Sequence, residues 1–351
     1  MTFLGHKYYI ILIFLSDTEA KMKISVIFTG GTIGSVTESD CVRLDGKSTF
    51  KLIDMYRQKY GNDISFDTYE PYNIHSENLT TDNFSMLCSC IFETLKTNPD
   101  GIIITHGTDT LQYTAAVLSF VFAGCKLPII LVSANYPLDD KRSNGLINFA
   151  VAAEFIKRRI DNGVFVSYKN KSEMPQIHSA SRLLPHDEFS DSLRSAFNIT
   201  YGCFANSCFI KNPEYKACSA SNPLKPVFGK GDSITVVHPI PGMRYPQLSD
   251  NIHAVLHTSY HSGTLCVQSP EFKKFCGECK ERNIPLFLVG INPNLRQYES
   301  TLMYSELGIT VLPPMTFFSA YIKLLLLLSD DKNADSTLKE KMLSALNDEF
   351  I

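Results

Sequence analysis

The sequence lacks the features that mark nucleic-acid-binding and membrane-spanning proteins. Its formal net charge is −3, and no run of like charges occurs, so we expect neither a nucleic acid nor a membrane as a partner. The apolar run from Tyr8 to Leu15 is far shorter than the roughly 20 residues that span a bilayer. The 351 residues are 44% apolar and 20% charged, a composition typical of a globular protein long enough for two domains.

Common cofactor signatures are also missing. Neither GxGxxG nor GxxxxGK[ST] occurs, so a glycine-rich turn in this chain lacks the usual phosphate-binding motifs. Of the ten cysteines, only Cys276 and Cys279 form a CxxC pair, without a second pair or an HxxxH motif. We therefore expect reduced, mostly buried thiols in a cytoplasmic protein, and no metal or redox role for the pair.

The first 22 residues are interpreted separately from the fold. The apolar run at residues 8–15 resembles the central region of a signal peptide, with Thr18-Glu19-Ala20 as a weak cleavage site. The alternative is that Met22 is the biological start, because the first core strand follows directly. We favour this alternative, since the cysteine usage argues against export, and treat residues 1–22 as an N-terminal extension.

One stretch, KISVIFTGGTIGS from Lys23 to Ser35, organises the rest of the chain. Its alternating β-branched residues predict a buried strand, and the glycines after it allow a sharp turn close to a ligand. A second stretch has the same form: the predicted strand at residues 101–105 is followed by HGTDT at residues 106–110. Open α/β sheets bind ligands at the carboxyl ends of their strands, so both turns are candidate site segments.

Predicted strands and helices alternate along most of the sequence. This order predicts an α/β protein with a larger N-terminal domain at residues 23–185, built on a parallel, doubly wound sheet. A linker at residues 186–230 and a smaller C-terminal α/β domain at residues 231–351 follow.

Other segments give weaker patterns. Residues 36–47 predict a mobile loop over the glycine turn, a candidate lid. Residues 170–230 contain no convincing helix and only short extended pieces. The run Leu324–Leu328 is too short to span a membrane and predicts a buried helix or a subunit contact. The tail after Asp330 predicts an exposed amphipathic helix.

The hydroxyl groups of Thr32 and Thr108 suggest a specific chemistry. Each is expected at a strand end near a helix N-terminus, where free N–H groups hold a carboxylate or an oxyanion. Asp109 adds a negative charge for an ammonium group. Together these groups suit an α-amino acid whose side-chain carbonyl is attacked by a threonine activated by a base. The alternative is that both threonines only cap helices.

The two motifs resemble the paired signatures of the bacterial L-asparaginase/glutaminase family. TGGTIGS at residues 29–35 and HGTDT at residues 106–110 occur in the family's order, and the similarity covers about residues 22–330. Further segments that resemble the family are Asn73–Glu77, Ser133-Ala134, Pro137, Asp140–Asn144, His238–Met243, Tyr260–Thr264 and Pro314–Lys323.

The resemblance implies roles for individual residues. Thr32 would be the nucleophile that forms an acyl-enzyme and releases ammonia, with Gly31 beside it in the binding turn. Thr108 would belong to a second hydroxyl triad, and Asp109 would bind the α-amino group. Ser76 would help to hold the α-carboxylate, and its neighbour Glu77 would be a further substrate-binding residue. The resemblance also implies a homodimer or homotetramer without metal or organic cofactor.

The sequence departs from the family pattern in two places. The family's lysine, which pairs with the HGTDT threonine and aspartate, falls on Ala180, and the nearest cations are His178 and Arg182. Arginine cannot act as a base at neutral pH. The lid tyrosine is also missing, because none occurs between Ile33 and Tyr56.

Two classes of function follow. The first is an L-asparagine amidohydrolase, with glutamine as the alternative substrate. The second is a low-activity or non-catalytic amino-acid-binding protein on the same scaffold. A transamidation subunit is a further enzyme alternative.

Overall fold

A large mixed sheet forms the core of the N-terminal half. The computed structural model describes residues 21–38, 41–44, 48–218, 220–292, 296, 298–330 and 335–351. The sheet has the strand order β10-β9-β8-β7-β6-β5-β1-β4. Its strands are β1 (Met22–Phe28), β4 (Ile64–Tyr69), β5 (Gly101–Thr105), β6 (Pro128–Val132), β7 (Gly163–Tyr168), β8 (Gln176–Ser179), β9 (Gly202–Ala205) and β10 (Cys208–Lys211).

Helices cover both faces of this sheet. They are α1 (Ser48–Tyr60), α2 (Thr81–Leu95), α3 (Leu111–Val121) and α4 (Gly145–Lys157). Strand β5 shows why both faces are buried: Ile102 and Ile104 pack with residues of α2 and α3, whereas Ile103 packs with residues of α1 and α4. Because successive side chains of a strand point to opposite faces, this arrangement confirms the predicted doubly wound, parallel core.

The parallel part ends at β7. Strands β4, β1, β5, β6 and β7 pair in parallel, and β8, β9 and β10 extend the sheet in antiparallel pairs. The sequence analysis missed these last three strands, each only four residues long. Two of them lie inside the segment predicted as a linker. The division at residues 186–230 therefore remains a proposal.

A smaller parallel sheet follows in the C-terminal half, as predicted. Its order is β11-β12-β13-β14, from strands β11 (Ile234–Val237), β12 (Ala254–Thr258), β13 (Leu286–Val289) and β14 (Ile309–Val311). Its helices are α5 (Pro270–Glu281), α6 (Phe317–Ser329) and α7 (Asp335–Leu343). A short 3₁₀ helix, Glu299–Met303, lies between β13 and β14. Leu324–Leu327 are buried, as the leucine run predicted.

Two predictions about irregular segments are wrong. The predicted loop at residues 36–47 contains an antiparallel hairpin of β2 (Ser35–Glu38) and β3 (Cys41–Leu44) where it is described. The tail after Asp330 contains the predicted helix, α7, but its end is not exposed, because Met342 is fully buried and Glu349 pairs with Lys323 at 2.8 Å. The tail therefore belongs to the core. Residues 1–20, most of the predicted N-terminal extension, lie outside the described residues.

The two cysteines of the CxxC pair are buried in the C-terminal half. Cys276 and Cys279 are free thiols on the buried side of α5, and burial raises the pKa of Cys276 to about 12 and that of Cys279 to about 11. Both thiols pack in the core. Among the helices of the described residues, none has the length and apolarity needed to cross a membrane.

Candidate active site

Two glycine turns touch at the carboxyl edge of the large sheet. Gly31 follows β1 with φ of +77°, and a Cβ atom there would lie 2.4 Å from both N and Cα of Gly107. Only glycine permits this approach of two backbones. Thr32 and Thr108 each follow one of the touching glycines. The structure thus brings the two predicted motifs together, as the sequence analysis required.

A third segment, after β4, completes the contact. The N–H of Gly31 donates to the carbonyl of Ile74 over 3.1 Å, and the N–H of Ile74 donates to the carbonyl of Thr29 over 3.2 Å. A Cβ atom on Gly107 would lie 2.4 Å from Oγ of Ser76. Three chain segments, far apart in sequence, therefore meet at one point.

Ser76 and Asp109 form the polar centre of this contact. The Ser76 hydroxyl, 5% exposed as a residue, lies 3.3 Å from Oδ2 of Asp109 and accepts the Asp109 N–H at 3.3 Å. The Thr110 hydroxyl donates to the Ser76 carbonyl over 2.9 Å. Asp109 itself is exposed, as is Glu77 beside Ser76. The Asp109 carboxylate is thus positioned by Ser76 yet open to a ligand.

The predicted helix N-terminus is present at one threonine and not at the other. Thr108 precedes α3, whose N-cap residue is Thr110 and whose first N–H groups carry a partial positive charge. Thr32 begins only a three-residue 3₁₀ helix, Thr32–Gly34, which leads into the β2–β3 hairpin. The partial positive charge that would favour a bound carboxylate therefore lies near Thr108 and not near Thr32.

His106 holds the second turn in place. Its Nδ1 donates to the carbonyl of Gly107 over 2.8 Å, and the Thr114 hydroxyl donates to its Nε2 over 2.8 Å. Burial lowers the pKa of His106 to about 4. The imidazole is therefore neutral near pH 7 and acts as a fixed hydrogen-bonding link between the turn and α3.

The cations that the sequence offered in place of the family lysine have other partners. Ala180 is buried at the start of a short 3₁₀ helix. The Arg182 guanidinium pairs with Asp348 at 2.8 Å. Nδ1 of His178 lies 2.9 Å from Oγ of Ser195, and burial lowers the pKa of His178 to about 3. The group that would replace the family lysine is therefore not assigned by these two cations.

His186 is the residue that sequence reasoning missed. The Thr108 backbone and the Asp109 carboxylate both act on its imidazole and raise the pKa of His186, while burial lowers it more strongly, so the net shift is downward. Its ring packs edge-on against Tyr168, with centroids 5.2 Å apart. The sequence feature that could have indicated His186 is its position beside Asp187, in the segment predicted as a linker.

The described residues offer no metal site. No group of three or more His, Cys, Asp or Glu side chains among them has the arrangement that would hold a metal ion. The polar atoms at the three touching turns are hydroxyls, backbone N–H groups and one carboxylate. This set suits a small zwitterion.

Comparison with known proteins agrees with this geometry. Residues 23–197 match the family model described as the N-terminal domain of asparaginase. An L-asparaginase from Thermococcus kodakarensis is 29% identical over 164 residues, which cover 45% of this chain and 48% of that protein. One subunit of the glutamyl-tRNA(Gln) amidotransferase of Archaeoglobus fulgidus is 31% identical over 159 residues, 45% of this chain and 38% of that protein. The chain thus spans half the length or less of these curated relatives.

Solved structures are similar in fold to this protein over nearly the whole chain. The thermostable L-asparaginase of Thermococcus kodakarensis superposes with a TM-score of 0.78 at 19% identity, over 94% of this chain and 99% of that one. L-asparaginase I of Vibrio cholerae gives 0.75 at 24% identity, over 95% and 100%. These likenesses show the fold.

Fold and site together define an α/β protein that joins two hydroxyl-bearing glycine turns at the carboxyl edge of its sheet. The chain belongs to the asparaginase family.

Proposed function

We propose that this protein is an L-asparagine amidohydrolase, which converts asparagine to aspartate and ammonia. The observation that carries the proposal is the contact between Gly31 and Gly107, which sets Thr32 beside the turn that holds Thr108 and Asp109. Two touching turns that each carry a threonine, together with the exposed carboxylate of Asp109, would suit the groups of a small amino-acid amide.

The substrate would be held by its two α-substituents. The exposed carboxylate of Asp109 is suited to the α-ammonium group, since an opposite charge needs a partner when it leaves water. The Ser76 hydroxyl and the N–H groups at the start of α3 are suited to the α-carboxylate. Binding at both ends would fix the side-chain amide toward Thr32.

Catalysis would proceed through a covalent intermediate. The Thr32 hydroxyl oxygen attacks the amide carbon, its proton passes to the leaving nitrogen, and ammonia departs. Water then attacks the acyl-enzyme and releases aspartate. No step requires a metal or an organic cofactor, in keeping with the resemblance.

Three other functions compete with this proposal. Ala180 at the lysine position favours a low-activity or non-catalytic amino-acid-binding protein. A glutaminase differs by one methylene of substrate, worth only about 1–3 kcal/mol of discrimination. The likeness to amidotransferase subunits favours a role in which ammonia is passed to another protein chain.

Ammonia release tests the proposal. Purified protein is assayed with asparagine, glutamine and aspartate, together with Thr32→Ala and the control Thr68→Ala, which alters an exposed threonine of β4. We expect asparagine hydrolysis that falls on the order of 10⁴–10⁶-fold in Thr32→Ala and persists in Thr68→Ala. Equal rates in both variants would remove Thr32 from the mechanism.

The other outcomes separate the competing functions. Tight aspartate binding without turnover would favour the binding protein, and faster glutamine hydrolysis would favour the glutaminase. Ammonia release only with a partner subunit and a glutamyl-tRNA present would favour the amidotransferase role.

We further propose a homodimer or homotetramer located in the cytoplasm. The described cysteines, from Cys88 to Cys279, are all free thiols, which fits a reducing compartment. Light scattering after gel filtration measures the number of subunits. A monomer at micromolar concentration would contradict the proposed assembly.

A further inference from the structure

The proposed reaction needs a base that takes a proton from a hydroxyl, and no such base has been assigned so far. A hydroxyl becomes reactive when a base takes its proton, and the resemblance puts Ala180, whose methyl side chain accepts no proton, at the position of the family lysine. We propose that His186 is the base that accepts the proton of Thr108. This inference rests on the proposed function and adds to it the residue that moves the proton.

The contacts of His186 place it at the right turn. Its imidazole lies against the Thr108 backbone and within reach of the Asp109 charge. Both ring nitrogens are buried, yet neither forms a hydrogen bond of normal geometry with any described residue. An imidazole with both nitrogens buried and unpaired is costly, so a ligand or a transferred proton is the expected partner.

The segment that carries His186 is held from both ends. In this segment, which we call the arch (residues 184–194), the Leu184 N–H donates to the carbonyl of Arg194 over 3.0 Å. The Asp187 N–H donates to the carbonyl of Ser192 over 2.9 Å. The arch is tied to the sheet where the Tyr168 hydroxyl donates to the carbonyl of Asp191 over 2.9 Å. These hydrogen bonds therefore fix the position of the backbone that carries the His186 imidazole.

The electrostatic surroundings keep His186 able to accept a proton. Burial is the strongest influence and lowers its pKa, so the ring is neutral at pH 7. Carboxylates around it favour the imidazolium once a proton arrives. The titratable groups that face it are Asp187 and Asp191 of the arch, Asp109 after β5, His178 on β8 and Tyr168 on β7.

The proton transfer belongs to the second half of the reaction. Water bonds to the acyl carbon and gives a proton to the Thr108 oxygen, while the Thr108 hydroxyl proton passes to the imidazole. When the carbon–oxygen bond to Thr32 breaks, the imidazolium returns a proton through Thr108 to the Thr32 oxygen. The products are the two free hydroxyls and a side-chain carboxylic acid, which loses its proton to solvent and becomes aspartate, so atoms and charge balance.

Two variants of His186 and one matched control test this role. His186→Asn keeps a hydrogen-bonding side chain, and His186→Phe keeps a ring against Tyr168. The control is His178→Asn, which alters a buried histidine of β8 bonded to Ser195. For each protein we measure kcat and KM for asparagine from pH 5 to 9, the melting temperature, and kcat with added imidazole.

We expect kcat of His186→Asn to fall about 10²–10⁴-fold, with KM changed less than about threefold. The acid limb of the wild-type kcat profile should be absent from this variant, and added imidazole should restore part of kcat. His178→Asn should keep kcat and the acid limb.

The outcomes separate the inference from the proposed function. Unchanged kcat in His186→Asn, or a lower melting temperature with normal kcat per folded molecule, overturns the role of His186 and leaves the amidohydrolase standing. Loss of kcat in His178→Asn alone would move the role to that residue and overturns the inference. Absence of turnover in the wild type overturns both.

Discussion

Two polar clusters of this protein differ in whether their charged and polar groups are paired with one another. The first, which we call the open cluster, leaves polar groups available: Asp109 is exposed, and both ring nitrogens of His186 are unpaired among the described residues. The second, the closed cluster, buries its charges in pairs. The open cluster is Ser76, Thr108, Asp109 and His186, and the closed cluster is Arg182, Lys323, Asp348 and Glu349.

The closed cluster satisfies its charges completely. Lys323 and Glu349 are fully buried and pair at 2.8 Å, and Glu349 also accepts the N–H groups of Leu346 and Asn347. Asp348 accepts hydrogen bonds from its neighbours Arg182, Cys218, Ser179 and Tyr215. An unpaired buried charge would be very costly, so this cluster sets the stability of the tail. In the proposed function, by contrast, the open cluster is completed by a ligand.

The largest effect should come from breaking the buried ion pair. Glu349→Gln should lower the free energy of unfolding by about 3–5 kcal/mol, because Lys323 keeps a buried charge without its partner. Asp109→Asn should change the free energy of unfolding by less than about 0.5 kcal/mol, because its carboxylate is exposed. Urea denaturation measures both values.

The effects of the two substitutions on turnover should be in the opposite order to their effects on stability. Asp109→Asn should abolish most turnover, whereas folded Glu349→Gln should keep it. A stability loss in Asp109→Asn as large as that of Glu349→Gln would contradict the distinction between the two clusters.

The contact of the two glycine turns should be the next most sensitive feature. Gly31→Ala should lower kcat/KM about 10²-fold, since a Cβ atom 2.4 Å from the Gly107 backbone must push Thr32 and Thr108 apart. Gly61→Ala is the control, because Gly61 also has a positive φ, +98°, but a Cβ atom added there would have no neighbour within 4 Å. It should cost about 1 kcal/mol of stability and no activity.

Steady-state kinetics and denaturation distinguish the two glycine variants. Unchanged kcat/KM in Gly31→Ala would show that the two turns need not touch for function.

Stability should fall at acid pH through His106. Because burial lowers the folded-state pKa to about 4 from an ordinary 6.5, the unfolded chain binds the proton more tightly. The contribution of His106 is complete above pH 6.5 and is lost as the pH falls toward 4. It should amount to about 3 kcal/mol.

Unfolding titrations between pH 4 and 8 measure this dependence. His106→Asn should flatten it in that range. An identical profile for wild type and variant would mean that the imidazole titrates normally in the folded protein.

The smallest effects should come from replacing two serines. One contacts the carboxylate of the open cluster, and the other contacts the Asp348 carboxylate of the closed cluster. Ser76 contacts the Asp109 carboxylate at 3.3 Å, and Ser179 contacts the Asp348 carboxylate at 3.2 Å. Ser76→Ala should weaken aspartate binding by about 1–2 kcal/mol, and Ser179→Ala should instead lower stability by a similar amount. Calorimetric titration and denaturation of both variants provide the test. Weaker aspartate binding in Ser179→Ala alone would reverse the assignment.

Long periodic elements and paired motifs were predictable from sequence. The run of apolar residues in β5 depends only on local pattern, and the strand appears at residues 101–105 as predicted. The meeting of the turns after β1 and β5 followed from a general rule, that parallel strands end at the same edge.

Features that depend on distant contacts were not predictable. Strands β8, β9 and β10 are short and pair antiparallel, so no period marks them. The tail was expected to be an exposed amphipathic helix, but Glu349 pairs with Lys323, which lies 26 residues earlier in α6. His186 reaches Thr108 only because the arch folds back over the sheet, and no spacing in the sequence shows this.

A crystal structure with aspartate bound would test the central claim most directly. The account predicts the α-ammonium group on Asp109, the α-carboxylate at Ser76, and the side-chain carboxyl within hydrogen-bond reach of the Thr32 hydroxyl. Aspartate bound elsewhere, or bound with its side chain directed away from Thr32, would contradict the account.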